Sequence, residues 1–388
     1  MRGMTLRAIA EACNGVYYGS EDNLDKEVTD ITTDSRKVQD GGLFVAICGE
    51  RTDGHQYIDN CSNDGAFCVI SEKELEGQTN SYIKVKSSLQ ALKDMALLYR
   101  NNLDIKVVGI TGSVGKTSTK ETISYVLNKK YKVLKTEGNF NNEIGLPLTV
   151  FRLRDDDEVA VLEMGISDFG EMDRLSKIAQ PDISVITNIG LCHLENLKTR
   201  DGILKAKTEI FNNMKPDGIA ILNGDDDKLI TVDEVNGKKP ERFGINYKDG
   251  VYAKDIENLG LSGTKFVISG LNCVDGCKDF EVTVPVPGHH MIYNALAAAC
   301  VGAALELTSA QIADGIADLK TISGRNNIIK TSKYTLIDDC YNANPVSMKA
   351  SVDVLDMAIG RKVCILGNMY ELGENEKNLH YDVGQYIG

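Results

Sequence analysis

The segment GITGSVGKTST, Gly109–Thr119, constrains this chain more than any other, because it follows the β-branched run KVVGI and opens a helical pattern. In a strand–loop–helix of this kind the loop's backbone N–H groups converge on phosphate oxygens, and the helix N-terminus adds partial positive charge. Gly112, Ser113, Gly115 and Ser118 belong to that cradle, Lys116 is spaced to reach the terminal phosphates, and Thr117 offers a hydroxyl to Mg2+. The strict G-x-x-x-x-G-K-[ST] pattern asks for glycine where the chain has Ile110, so the match is to the shorter G-x-x-G-K-T core. The pattern implies binding of ATP or GTP.

From Lys106 onward the chain repeats a β-branched run, a polar or glycine loop and an amphipathic helix. Strands are predicted at 106–110, 131–135, 159–162, 183–187 and 218–222, with helices near 117–129, 170–179 and 202–214 between them. This is the rhythm of an α/β fold with a central doubly wound, mostly parallel sheet, whose ligands sit at the carboxyl ends of the strands. In VAVLEMG, Glu163 falls at such an end, where a carboxylate beside the phosphate loop would serve as a second hard ligand for Mg2+. The first hundred residues read as a smaller α/β domain with apolar runs LFVAI and AFCVI. A helix with its stripe at Leu89, Leu92, Ala96 and Tyr99 closes it before Asp104. Residues 250–285 suggest an antiparallel appendage. After Gly324 a strand at 334–337, a helix at 345–358 and a strand at 362–366 make barely one βαβ unit, so the third domain is expected to be incomplete. The divisions are 1–104, 105–324 and 325–388.

Acids outnumber bases 56 to 43, giving a net charge of -13, the wrong sign for a chain that coats nucleic acid or an anionic membrane. No apolar stretch approaches the roughly 20 residues that span a bilayer, and MRGMTLRAIAEAC has no continuous apolar signal core. No nucleic acid partner and no membrane insertion are expected, and a cytoplasmic location follows. There the ten cysteines are thiols by default, including Cys273 and Cys277, which flank a VDG loop without a second pair to complete a zinc site.

Other residues are ambiguous by themselves. His193 in ITNIGLCHLENL, and Lys205 and Lys207 in KAKTEIF, read by themselves more readily as surface groups than as ligands. The asparagine-rich NFNNEIGLP, starting at Asn139, reads as a turn or as amides presented to substrate.

Taken together, TDSRKVQDGGLFVAICGERTDGH, TGSVGKTSTKE, NFNNEIGLPLT, EMGISDFGEM, ITNIGLCHLE, AKTEIF, PGHHMIYNALAAA, SGR and LIDDCYNANPVSMKA resemble, in that order, the Mur ligases of peptidoglycan synthesis. YNANPVSMKA is similar to the branch that joins D-alanyl-D-alanine to UDP-N-acetylmuramoyl-tripeptide. The resemblance implies three domains: one for the UDP-sugar end, a central ATPase, and a Rossmann-like third domain, here apparently truncated, that closes over the site. It implies a cytoplasmic, ATP- and Mg2+-dependent ligase of cell-wall biogenesis, acting as a monomer. In that chemistry the tripeptide carboxylate attacks the γ-phosphate, and the dipeptide amine displaces phosphate from the acyl phosphate.

By the same resemblance Lys116 stabilises the transferring phosphoryl group, Thr117 and Glu163 hold one Mg2+, and His193 helps hold a second. Lys207 matches a lysine that the family carbamylates, with Lys205 its competitor. Asn141 and Asn142 lie near phosphates and substrate, Asn294 contacts adenine, Arg325 a phosphate and Asp339 the ribose. Ser35 and Arg36 meet the uridine-diphosphate end, and Tyr341, Asn342 and Asn344 belong to the substrate side. The chain departs from the family at Met291, where asparagine is usual, and at Cys340, where serine is. Another Mur ligase, a folylpolyglutamate-type ligase, or a nucleotide-binding fragment without ligase activity are the alternatives.

Overall fold

A computed structural model describes residues 1–49, 52–75 and 81–388. Glu50 and Arg51, inside the first matched motif, lie outside the described residues. The chain divides into two compact units: Met1–Ile105 with Thr136–Ala160 and Lys177–Ala179, and Lys106–Lys135 with Val161–Ser176 and Gln180–Gly388.

The first unit holds β1 (Val16–Tyr18), β2 (Ile31–Thr32), β3 (Leu43–Val45), β4 (Cys68–Ser71) and β5 (Ser81–Lys84) in the order β1-β5-β4-β3-β2. All pairings are parallel except β1 with β5. Phe44, Ile58, Val69 and Tyr82 form part of its core. The helix Ser88–Asn101 starts at Ser87, whose side chain accepts from Gln90 N, and buries Leu92, Ala96 and Tyr99 of the anticipated stripe, with Ala91 and Met95 beside them. Its last turn carries a buried guanidinium: Arg100 donates to the carbonyls of Ala179, Leu103 and Ile105 at 3.0 to 3.2 Å. Those bonds satisfy a buried charge that would otherwise be costly.

The second unit is built on nine strands: β6 (Lys106–Thr111), β7 (Val133–Lys135), β8 (Val159–Glu163), β9 (Ile183–Ile186), β10 (Ile219–Asn223), β11 (Glu241–Gly244), β12 (Val251–Asn258), β13 (Thr264–Ser269) and β14 (Phe280–Val284). Their order is β14-β13-β12-β11-β10-β9-β6-β8-β7. The strands β6, β9, β10, β11 and β12 run parallel, and β12, β13 and β14 antiparallel. Residues 250–285 are therefore not an appendage. They extend the same sheet, because Val251 pairs with Phe243 of β11. The inner strands are buried along almost their whole length, as expected of parallel strands covered on both faces. The helix expected to run to Met214 spans Arg200–Thr208 and tightens into a 3-10 turn at Glu209–Phe211.

Beyond Gly324, β15 (Asn327–Lys330) and β16 (Thr335–Asp338) form an antiparallel hairpin whose first strand sequence reading missed. Helices at Pro345–Asp356 and Glu376–Ile387 follow, with Met369, Leu372, Leu379 and Val383 buried together. The strand expected at 362–366 is absent among the described residues, and Ile365 is 93 % exposed. An apolar extended run becomes a strand only beside an edge that takes its hydrogen bonds, and here β15 and β16 pair with each other. Among the described residues no helix is long and apolar enough to cross a membrane.

Candidate functional site

Strand β6 delivers the glycine loop to the carboxyl edge of the sheet. Gly112 takes φ +151°, and a Cβ there would stand 1.9 Å from Thr187 Oγ1, so only glycine fits this approach of loop to loop. The residues after β9 brace the cradle. Asn188 accepts from Val114 N through Oδ1 at 3.0 Å and donates from Nδ2 to Val114 O at 2.9 Å, while Thr187 Oγ1 donates to the same carbonyl at 2.7 Å. Sequence reading missed Asn188, although a polar residue directly after an apolar strand was the available signal.

Inside the loop, Lys116 Nζ donates to Gly112 O at 2.8 Å. Thr117 Oγ1 donates to Glu163 Oε1 at 3.3 Å, and Lys120 Nζ lies 3.8 Å from Glu163 Oε2. Both Glu163 and Lys120 are buried. From the start of the third segment, Arg325 Nη2 reaches Thr117 Oγ1 at 3.4 Å, its guanidinium 4.2 Å from the centre of the Tyr341 ring. A threonine hydroxyl and a carboxylate are hard oxygen donors of the kind Mg2+ takes. Among the described residues no group of three or more His, Cys, Asp or Glu side chains gathers to hold a metal by itself. Mg2+ is commonly held by one or two carboxylates together with substrate phosphates and water.

Lys205 and Lys207 part company on the helix Arg200–Thr208. Lys207 is 1 % exposed, whereas Lys205 faces outward with its ammonium 5.9 Å from the Phe169 ring centre. Burial, then the charge of Lys116, pulls the Lys207 ammonium down to about 7, with Cys192 opposing. His193 adopts a left-handed φ of 49°, and its Nδ1 lies 2.8 Å from Glu371 Oε2. Burial lowers the His193 pKa below the usual imidazole value, Lys207 and Lys116 lower it further, and Glu371 opposes them.

A cavity of about 340 Å³ opens beside the loop, lined among others by Gly115, Ser118, His290, Asn294, Arg325 and Asp339. Asn294 is buried, accepting from Thr119 Oγ1 at 2.9 Å and donating to the Met291 sulfur at 3.2 Å. Met291, the departure from the family pattern, thus takes one of the amide's donors. Asp339 accepts from Asn326 N at 3.1 Å and from Ser351 Oγ.

Ser35, Arg36, Asn141 and Asn142 belong to the first unit. There the Arg36 guanidinium grips the Asp34 carboxylate with two contacts of 2.9 Å, and Asn142 Oδ1 accepts from Ile144 N and Gly145 N at the start of the helix Gly145–Val150. Asn344 Oδ1 caps the helix Pro345–Asp356, and Asn342 Oδ1 accepts from Ala343 N, while Tyr341 is about half exposed.

Fold and site together define an α/β protein with a phosphate-binding loop at the carboxyl end of an inner strand of a mostly parallel sheet. The Mur ligase middle domain matches residues 110–302, the glutamate ligase domain of Mur ligases 324–388, and the catalytic domain of the Mur ligase family 27–100. The UDP-N-acetylmuramoyl-tripeptide–D-alanyl-D-alanine ligase of Bacillus subtilis is 37 % identical over 388 residues, covering 99 % of this chain and 82 % of its own. Crystal structure I of MurF from Acinetobacter baumannii superposes with a TM-score of 0.91 at 32 % identity, over 99 % of this chain and 83 % of that one. The MurF ligase of Thermotoga maritima in complex with ADP gives a TM-score of 0.83 at 34 % identity, over 92 % and 82 %. The chain belongs to the Mur ligase family, whose members are ATP-dependent ligases that form amide bonds.

Proposed function

We propose that this chain joins D-alanyl-D-alanine to UDP-N-acetylmuramoyl-tripeptide at the expense of ATP. One observation supports the chemistry: the glycine loop pairs Thr117 with the strand-end Glu163, and the buried Lys207 lies close enough to Lys116 and His193 for their charges to act on one another. The substrate pair rests on the names of relatives such as those of Bacillus subtilis and Escherichia coli, 37 % and 35 % identical over 99 % of this chain. The divisions 1–104, 105–324 and 325–388 are part of the same reading.

In this reading the loop N–H groups hold the phosphates, and Lys116 leaves Gly112 O to meet the γ-phosphate. Thr117, Glu163, His193 and Lys207 hold two divalent cations, which when bound neutralise the phosphate charge that repels an incoming carboxylate. Asn294 faces the base, Asp339 the ribose and Arg325 a phosphate. Ser35 and Arg36 take the uridine-diphosphate end, Asn141 and Asn142 the phosphate and substrate region, and Tyr341, Asn342 and Asn344 the substrate side. Lys207 is suited to carbamylation, because a buried amine with a pKa near 7 is substantially neutral at physiological pH. Its lone pair adds to CO2, one N–H proton leaves, and the neutral amine becomes a carboxylate-like anion.

The tripeptide carboxylate oxygen attacks the γ-phosphorus and ADP departs, leaving an acyl phosphate. The dipeptide amine then attacks the carbonyl carbon, the C–O bond breaks, and phosphate leaves. Holding two anions together before they react supplies much of the acceleration. The test is phosphate release from ATP and Mg2+ with UDP-N-acetylmuramoyl-tripeptide, with and without D-alanyl-D-alanine, alongside mass analysis of the product. Dipeptide-dependent release with a pentapeptide product supports the reading. Release that ignores the dipeptide, or none, would sink it.

A further inference from the structure

His193 and Glu371 are non-glycine residues held in the left-handed region, at φ 49° and 60°, and they meet through His193 Nδ1 and Glu371 Oε2 at 2.8 Å. Left-handed backbone is unfavourable for such residues and persists only where the surroundings impose it. Both residues sit on backbone of this kind, and their side chains meet. The partners come from distant parts of the chain: His193 from the loop after β9, Glu371 from LGNMYELG in the third segment.

A neutral imidazole beside a carboxylate donates its proton from the nearer nitrogen. Where the proton that His193 shares with Glu371 sits on Nδ1, the lone pair is left on Nε2. Carboxylates hydrogen-bonded to the far nitrogen of a histidine fix its tautomer and ring orientation for metal binding. Glu371 is 62 % exposed in its side chain and His193 29 %, so this pair is not a core packing contact.

We infer that Glu371 is the positioning residue for His193. It accepts from Nδ1–H, presents Nε2 to the second divalent cation, and makes complete assembly of that cation site depend on the third segment. The inference rests on the proposed cation role of His193.

The test uses the full chain with a non-hydrolysable ATP analogue. Mn2+ is titrated by electron paramagnetic resonance, and the His193 tautomer is read from its ring 15N shifts. Glu371→Ala should weaken the weaker Mn2+ site about tenfold or more and move His193 away from the pure Nδ1–H tautomer. The stronger Mn2+ site and analogue affinity should stay unchanged, which also reports an intact fold. Glu371→Gln, whose amide oxygen still accepts from Nδ1–H, should restore the tautomer and most of the Mn2+ affinity. An unchanged tautomer or an unchanged weaker site in Glu371→Ala, where His193→Ala does lose that site, overturns the role of Glu371. Mn2+ binding untouched by His193→Ala overturns the cation reading itself.

Discussion

The strand edge around the phosphate loop and the segment from Gly324 to Gly388 contribute to one site in opposite ways. At the strand edge each polar group is held by a neighbour: Val114 by Thr187 and Asn188, Lys116 by Gly112, Glu163 by Thr117 and Lys120. The strands beneath are buried along nearly their whole length. The later segment has a two-stranded hairpin, two helices and a small buried cluster, and reaches Thr117 and His193 through individual side chains, Arg325 and Glu371. Charge-stabilising groups preorganised by a sheet pay little reorganisation during reaction, whereas groups brought by a lightly anchored segment suit opening and closing around substrate.

The sharpest way to break this comparison is at Lys116. Lys116→Ala removes the loop's own cation and is expected to lower kcat about a hundred- to a thousandfold, with the far-UV circular dichroism unchanged. A loss below about tenfold would mean that the strand edge does not carry the chemistry.

The next effect isolates Lys207. Its amine is neutral above about 7 and protonated below, and only the neutral form adds CO2. After bicarbonate is removed, recovery of activity at equal dissolved CO2 is expected to be about tenfold faster at about pH 8 than at about pH 6. A pH-independent recovery would remove carbamylation from the account. The sign for stability runs the same way: a lysine whose folded pKa is depressed binds a proton more weakly than in the unfolded chain. Its contribution therefore becomes less destabilising as pH rises from about 7 toward the usual lysine value.

On the side of the later segment, Arg325→Ala removes a guanidinium within reach of Thr117. A half-buried, single charged contact of this kind is worth about a tenfold rise in KM for ATP, with a smaller change in kcat. A fall in kcat as large as that of Lys116→Ala would place Arg325 in the fixed machinery and erase the contrast between the two regions.

Legibility in the sequence follows the same division. The loop and Glu163 were readable because a phosphate cradle and a strand-end carboxylate are local patterns, each set by residues close in sequence. The choice of Lys207 over Lys205 needed the resemblance, although a helical signal was present: positions 203, 207 and 210 share the buried face, and two residues of helix turn Lys205 to the other side. Asn188 and Glu371 were not read as site residues, since their partners Val114 and His193 come from other parts of the chain. The failed strand at 362–366 shows the converse. VCIL satisfies strand composition, but pairing is a tertiary property that composition does not supply.

That failure yields the smallest expected effect. Ile365 is 93 % exposed and makes no strand pair among the described residues, so Ile365→Asn removes little buried apolar surface. Its effect on unfolding free energy is expected to stay within about 0.5 kcal/mol, the range of ordinary surface changes, as read from urea midpoints at unchanged slope. A destabilisation of about 2 kcal/mol or more would show instead that this residue is covered in solution. The later segment would then be anchored by more than its cluster of Met369, Leu372, Leu379 and Val383, and its contrast with the strand edge would be one of chemistry and not of packing.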